Sequence, residues 1–152
     1  MYFVDREKIE QILQYIDELL YEFHQHSFNS SLEKLGLERM VHMLIESTLD
    51  VGNMMIDGFI MRDPGSYEDI IDILVDEKVI PISDQESYKE VIHLRNAVVR
   101  DYVAIDHQLL LETMTRSKTK LEQFSTYIRT YLNTELGVAH AFSNDEIGDE
   151  HE

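Results

Sequence analysis

The chain has 152 residues, 43% of them hydrophobic, with six glycines and two prolines; that length suits one domain and that balance suits long helices. There is no cysteine, which removes disulfides and thiolate metal sites. Thirty acidic residues against thirteen basic ones give a formal charge of −17, so the average surface repels a phosphate backbone and a broad basic face for nucleic acid is ruled against. The first residues are acidic where a signal peptide is basic, and no apolar run approaches the roughly 20 residues that cross a bilayer. These features fit a cytoplasmic protein with no membrane contact.

Asp5 caps a first helix that runs to about residue 23. Ile9, Ile12, Leu13, Ile16, Leu19, Leu20 and Phe23 fall on one face of it. His24 and His26 read as loop polar groups, with no third ligand near enough in sequence to suggest a metal. A second helix is predicted over residues 31–61. Leu32, Leu35, Leu37, Met40, Val41, Leu44, Ile45, Leu49, Met54, Met55 and Phe59 make it the most apolar stretch, as befits the centre of a bundle. His42, Glu46, Asp50 and Asp57 interrupt it.

Arg62, Asp63, Pro64 and Gly65 break the chain. Ser66 and Asp69 form a capping box for a short third helix over 67–78, striped by Ile70, Ile71, Leu74 and Val75. Val79, Ile80, Pro81 and Ile82 are an apolar connector. Ser83 and Glu86 form a second box that opens a fourth helix, ending near Tyr102. Asp106 caps a fifth over 107–136, with Leu109, Leu110, Met114, Leu121, Phe124, Ile128 and Leu132 inward. Gly137 is the expected stop. The prediction is all-α: an antiparallel bundle of about five helices over 1–142, with a mobile acidic tail over 143–152.

Chemistry concentrates in residues 94–106. Leu94, Val98 and Ile105 recur at helical spacing and face a core, while Arg95, Asn96 and Tyr102 rim that stripe. Such groups are costly to bury unpaired, so they mark a polar network or a surface that meets a partner or substrate. Glu46 and Asp50 are the acids expected to pair with Arg95 or Arg100. A carboxylate-bridged di-metal centre needs Glu-x-x-His on two helices. The chain has one such pair, Glu90 with His93, so no metal and no cofactor is expected.

The same stretch resembles the signature of the HEPN superfamily, and of its HepT-type branch in particular. That pattern is Arg-Asn, three residues, His, one residue, Tyr, close before an Asp that opens the next helix. Arg95, Asn96, Tyr102 and Asp106 match it, whereas Arg100 stands where the histidine belongs. The long second helix, the breaker 62–65 and the helix order extend the resemblance over nearly the whole chain, which looks like an uncharacterised HepT-like family whose fold is also that of nucleotidyltransferase substrate-binding proteins. The resemblance implies a homodimer whose paired motifs meet in a cleft and cleave RNA without a metal. It also implies a nucleotidyltransferase antitoxin partner, in a toxin–antitoxin pair, that adenylylates the motif tyrosine.

Carried over by position, Arg95 holds a scissile phosphate, Asn96 is its polar neighbour and Tyr102 is the modified tyrosine. Arg100 stays protonated and cannot act as a general base. The family's looser spacing also admits His107 as an acid/base, with six residues between it and Arg100. Three readings follow. The first is a non-catalytic or weakly active relative that binds a partner or an anion. The second is an active ribonuclease toxin, with an acid/base drawn from His107, His93 or Tyr102. The third is a structural bundle in which Arg95 and Arg100 are neutralised by the acids of the second helix.

Overall fold

In a computed structural model, which describes the backbone of residues 3–151 and the side chains of residues 3–137, the helix with the longest buried stripe is the second. α1 spans Arg6–His24, α2 Ser31–Gly58, α3 Tyr67–Asp76, α4 Gln85–His93, α5 His107–Glu122 and α6 Phe124–His151. There is no strand among the described residues. α2 packs on α1, α3 and α5; α4 lies on α3 and α5; α1 also runs along α5 and α6. The result is the antiparallel bundle the apolar spacing predicts. Its core draws on Leu37, Val41, Leu44, Ile45, Leu49 and Met55 of α2 and on Ile9, Leu13, Ile16 and Leu20 of α1, all buried. Each such side chain contributes about 1.5–3 kcal/mol of transfer free energy.

The caps form largely where the sequence places them. Asp5 accepts from Lys8 N, Asp106 from Leu109 N, and Ser66 from Asp69 N. Ser30 and Glu33 form a reciprocal capping box at α2. Two C-termini close without glycine: Ile60 and Lys78 adopt φ of 56° and 63°, and the bonds Met61 N to Ile56 O and Val79 N to Leu74 O wrap the last turns of α2 and α3. Gly52 is required by close packing, because a Cβ there would stand 2.5 Å from Ile70 Cγ2.

A buried polar knot fixes the connector between α3 and α4. Tyr127 donates to Asp84 Oδ2 at 2.5 Å, Lys120 Nζ donates to the Ser83 carbonyl at 3.1 Å, and Tyr88 donates to the Lys120 carbonyl at 2.5 Å. Donation to Asp84 pushes the Tyr127 phenol up to about 12, and burial raises that of Tyr88 further.

Several local expectations give way. Ser83 does not cap α4; a 3-10 turn, Ile82–Asp84, leads into it, and the Ser83 hydroxyl donates to Asp84 instead. The predicted fourth helix is α-helical only to His93, continues as a π-helical turn, Asn96–Arg100, and ends in a 3-10 turn, Tyr102–Ala104. The fifth helix divides at Gln123, and the backbone of α6 passes through Gly137 where a stop is predicted. Side chains of the expected acidic tail lie outside the described residues. Leu109, predicted inward, is exposed, as are Leu32 and Leu35 of the apolar second helix.

Candidate functional site

A polar seam runs along α2. Glu38, His42, Glu46 and Asp50 are spaced by four residues and stack on one side of an otherwise apolar helix. Where α4 ends against this seam, Arg95 Nε donates to Glu46 Oε1 at 2.7 Å. The Arg95 guanidinium also stacks 4.4 Å from the ring centre of Tyr67. Its side chain is 20% exposed. The Glu46 hydrogen bond holds Arg95 above its usual pKa range, so the cation is fixed in place and in charge.

Tyr67 owes its position to the breaker between α2 and α3. Arg62 donates to both oxygens of Asp69, at 2.8 and 2.9 Å, and Gly65 N donates to the same carboxylate at 2.9 Å. These bonds, that of Arg62 first, hold Asp69 down to about 2. The loop is thereby tied to the first turn of α3, where Tyr67 begins the helix.

Only Nε of Arg95 is claimed. Its two terminal nitrogens have no acceptor among the described residues, so the fork that matches a phosphate or carboxylate remains open. It borders a small cavity of about 250 Å³ between the start of α3 and the end of α4, with Tyr67 and Asn96 on its wall. A larger cleft of about 1080 Å³ lies elsewhere, between α6 and residues 75–82, and holds none of the predicted site residues.

The π-helical turn is the second element of the site. Asp101 N donates to the Asn96 carbonyl at 2.9 Å, five residues back. In a regular α-helix residues five apart point about 140° away from each other, as 3.6 residues per turn requires. A wider turn reduces that angle for the residues it spans. Turns of this kind occur often at functional positions.

The structure brings some predicted site residues together and separates others. Arg95 and Glu46 meet. Asn96, Arg100 and Tyr102 are exposed along the turn, and neither Arg100 nor Asp50 makes an ion pair among the described residues. His107 is bound to Glu38, 2.8 Å between Nε2 and Oε2, two helical turns of α2 from Glu46. Of the Glu90–His93 pair, Glu90 accepts from Arg116 and His93 contacts Glu68 at 3.0 Å. Among the described residues no three His, Asp or Glu side chains converge as a metal site, and no helix is long and apolar enough to cross a membrane. Sequence reasoning missed Tyr67. Its one signal was its place immediately after a helix cap, in a loop that must fold back on α2.

The helix order, with an Arg-Asn pair where the fourth helix ends, is the one by which the sequence resembles the HepT-type proteins. The sequence model of the family "Ribonuclease HepT-like" matches residues 6–128, and the chain belongs to that family. The chain is 48% identical over 143 residues to the Bacillus subtilis (strain 168) protein named "Putative RNase YutE", which covers 93% of this chain and 99% of that protein. The solved structure of Bacillus subtilis YutE, described as a cytosolic protein of unknown function, superposes with a TM-score of 0.88 over 90% of this chain and 96% of that one. A toxin–antitoxin crystal structure with AMP-PNP superposes with a TM-score of 0.69 at 17% identity, over 79% of this chain and 96% of that one, and shares the fold.

Proposed function

We infer that this member of the HepT-like ribonuclease family is a weakly cleaving RNA-binding protein that works as a homodimer. Its motif is degenerate: Arg95 and Arg100 hold the phosphate, and the proton shuttle at position 100 is gone. The observation that carries this reading is the half-used guanidinium of Arg95, anchored through Nε and Tyr67 with its terminal fork open. A guanidinium paired for structure alone would spend its fork on carboxylates, and Arg100 would not stand exposed without an ion pair. Arg100 adds a second cation but cannot exchange a proton near neutral pH. The net charge of −17 confines RNA to such a local spot.

Support for the dimer comes from the apolar groups beside the motif. Val103 is 90% exposed, and Tyr102, Leu32 and Leu35 are exposed on the segments that lead into His107 and Glu38, which contact each other; such apolar exposure suits a second copy. Tyr102 stands on the 3-10 turn with its hydroxyl unpartnered among the described residues, the condition for modification by a nucleotidyltransferase antitoxin. The toxin–antitoxin neighbour and the cytosolic description of YutE agree with such a cytoplasmic pairing.

The test is direct. Binding and cleavage of single-stranded RNA are measured for the wild type and Arg95→Ala. Loss of the fork removes two charge-assisted hydrogen bonds, which is at least a hundredfold, about 2.7 kcal/mol, in affinity. Equal binding by the two proteins overturns the reading. Cleavage as fast as that of an efficient ribonuclease, abolished by Arg95→Ala, favours the fully active toxin instead. Adenylylation appears as an AMP mass increment that Tyr102→Phe abolishes.

A further inference from the structure

Five histidines have described side chains, and four are committed. His24 contacts Glu122 at 2.8 Å, His26 contacts Glu22 at 3.2 Å, His93 contacts Glu68 at 3.0 Å and His107 contacts Glu38 at 2.8 Å. His42 is the exception. Its Nε2 lies 3.9 Å from Glu46 Oε1, too far for a hydrogen bond, and its ring has no other partner among the described residues. It shares Glu46 with Arg95, since Glu46 Oε1 is the same atom that accepts from Arg95 Nε; His93, on the wall of the cavity that Arg95 borders, is held by Glu68. Glu46 keeps its second oxygen free. Both side chains are about one third exposed, at 32% and 30%, so solvent and a ligand reach them.

A carboxylate, an imidazole and a guanidinium at one spot are the groups that phosphodiester transfer in RNA requires: a base, an acid and a cation. Resting on the reading that Arg95 grips an RNA phosphate, we propose that Glu46 and His42 supply the proton transfers that position 100 has lost. The free oxygen of Glu46 takes the proton of the ribose 2′-hydroxyl. The 2′-oxygen then forms a bond to phosphorus while the bond from phosphorus to the 5′-oxygen breaks. The protonated His42 ring delivers its proton to that leaving oxygen. The open fork of Arg95 faces the charge that builds on the two non-bridging oxygens. The products are a 2′,3′-cyclic phosphate and a 5′-hydroxyl. Glu46 is left protonated and His42 neutral, and solvent returns the proton from one to the other.

The seam on α2 thus stands in for the missing residue of the motif. The arrangement assigns His107 no part, because its ring is bound to Glu38 two turns away.

Two substrates separate the roles. One is an RNA dinucleotide, whose 5′-oxygen needs a proton to leave. The other is a uridine 3′-(p-nitrophenyl) phosphate, whose leaving group needs none. His42→Ala is expected to cleave the dinucleotide about a hundredfold more slowly and the aryl ester at near the wild-type rate. Glu46→Gln is expected to slow both, while binding RNA at least as tightly as the wild type because a negative charge beside the phosphate is gone. The proposal is overturned by a His42→Ala protein that cleaves the dinucleotide normally, by an equal defect on both substrates, or by a Glu46→Gln protein with full activity. Absence of any Arg95-dependent cleavage in the wild type also overturns it. RNA binding that depends on Arg95 survives each of those results, so the reading of the phosphate grip falls only if that binding fails. Circular dichroism confirms that the variants fold, and Glu46→Asp is a second replacement should Glu46→Gln not fold.

Discussion

Replacing Arg100 with His returns an exchangeable proton to the motif, and the structure sets both what that costs and what it yields. Arg100 is exposed and makes no ion pair among the described residues, so its removal costs the fold less than about 0.5 kcal/mol. The π-helical turn closes through Asp101 N and the Asn96 carbonyl, and a turn of that width reduces the angle between positions 95 and 100. An imidazole there, with an ordinary pKa of about 6.5, exchanges a proton near neutrality. General acid–base catalysis of this kind is worth about 10²–10⁴ in rate, or roughly 2.7–5.4 kcal/mol of barrier. The assay is the initial rate of single-stranded RNA cleavage from pH 5 to 9, with Arg95→Ala as background. Arg100→His is expected to raise the rate at least a hundredfold and to rescue His42→Ala. Unchanged cleavage by a folded Arg100→His protein, in which Arg95 still binds RNA, refutes the reasoning that the turn directs position 100 at the phosphate.

Three further outcomes bear on the frame that holds the site. Tyr127→Phe removes the donor to buried Asp84, and chemical denaturation is expected to show a loss of about 1–3 kcal/mol. Gly52→Ala places a methyl 2.5 Å from Ile70 Cγ2; the clash of about 1–3 kcal/mol exceeds the gain in helix propensity of about 1 kcal/mol, so the melting temperature falls. Asp69 is held at about 2, below its ordinary value, by Arg62 and Gly65 N. A carboxylate depressed in the fold stabilises above its unfolded pKa of about 3.9 and loses that contribution as pH falls toward 2. The melting temperature of Asp69→Asn is therefore expected to lie below that of the wild type at pH 6, with the gap closing between about pH 5 and 2.

The bundle was legible because its information is periodic. The faces of α1 and α2 follow from apolar residues at three- and four-residue steps, and Asp5, Ser66 and Asp106 cap where side-chain oxygens precede those stripes. The motif positions were expected from resemblance alone, and the Arg95–Glu46 contact is one of the pairings expected between Arg95 or Arg100 and Glu46 or Asp50. The interior of the site was not. One extra residue in a turn leaves no mark on hydrophobic spacing, so Asn96–Arg100 read as ordinary helix. Stacking of Tyr67 on Arg95 depends on a loop folded by Arg62 and Asp69, a contact across chain segments that periodicity does not encode. Leu32 and Leu35 count toward the apolar character of the second helix by type alone, and they are exposed.

The claim that Arg95 and Arg100 both hold phosphate is tested most directly by the salt dependence of RNA binding. Each phosphate contact to a single strand contributes about −0.7 to the slope of log K against log salt. Single-stranded RNA binding by the wild type, Arg95→Ala, Arg100→Ala and the remote control Lys118→Ala is measured from 50 to 200 mM salt. Each motif substitution is expected to make the slope shallower by about 0.7 per contact, and Lys118→Ala is expected to leave it unchanged. Four equal slopes would contradict the phosphate grip.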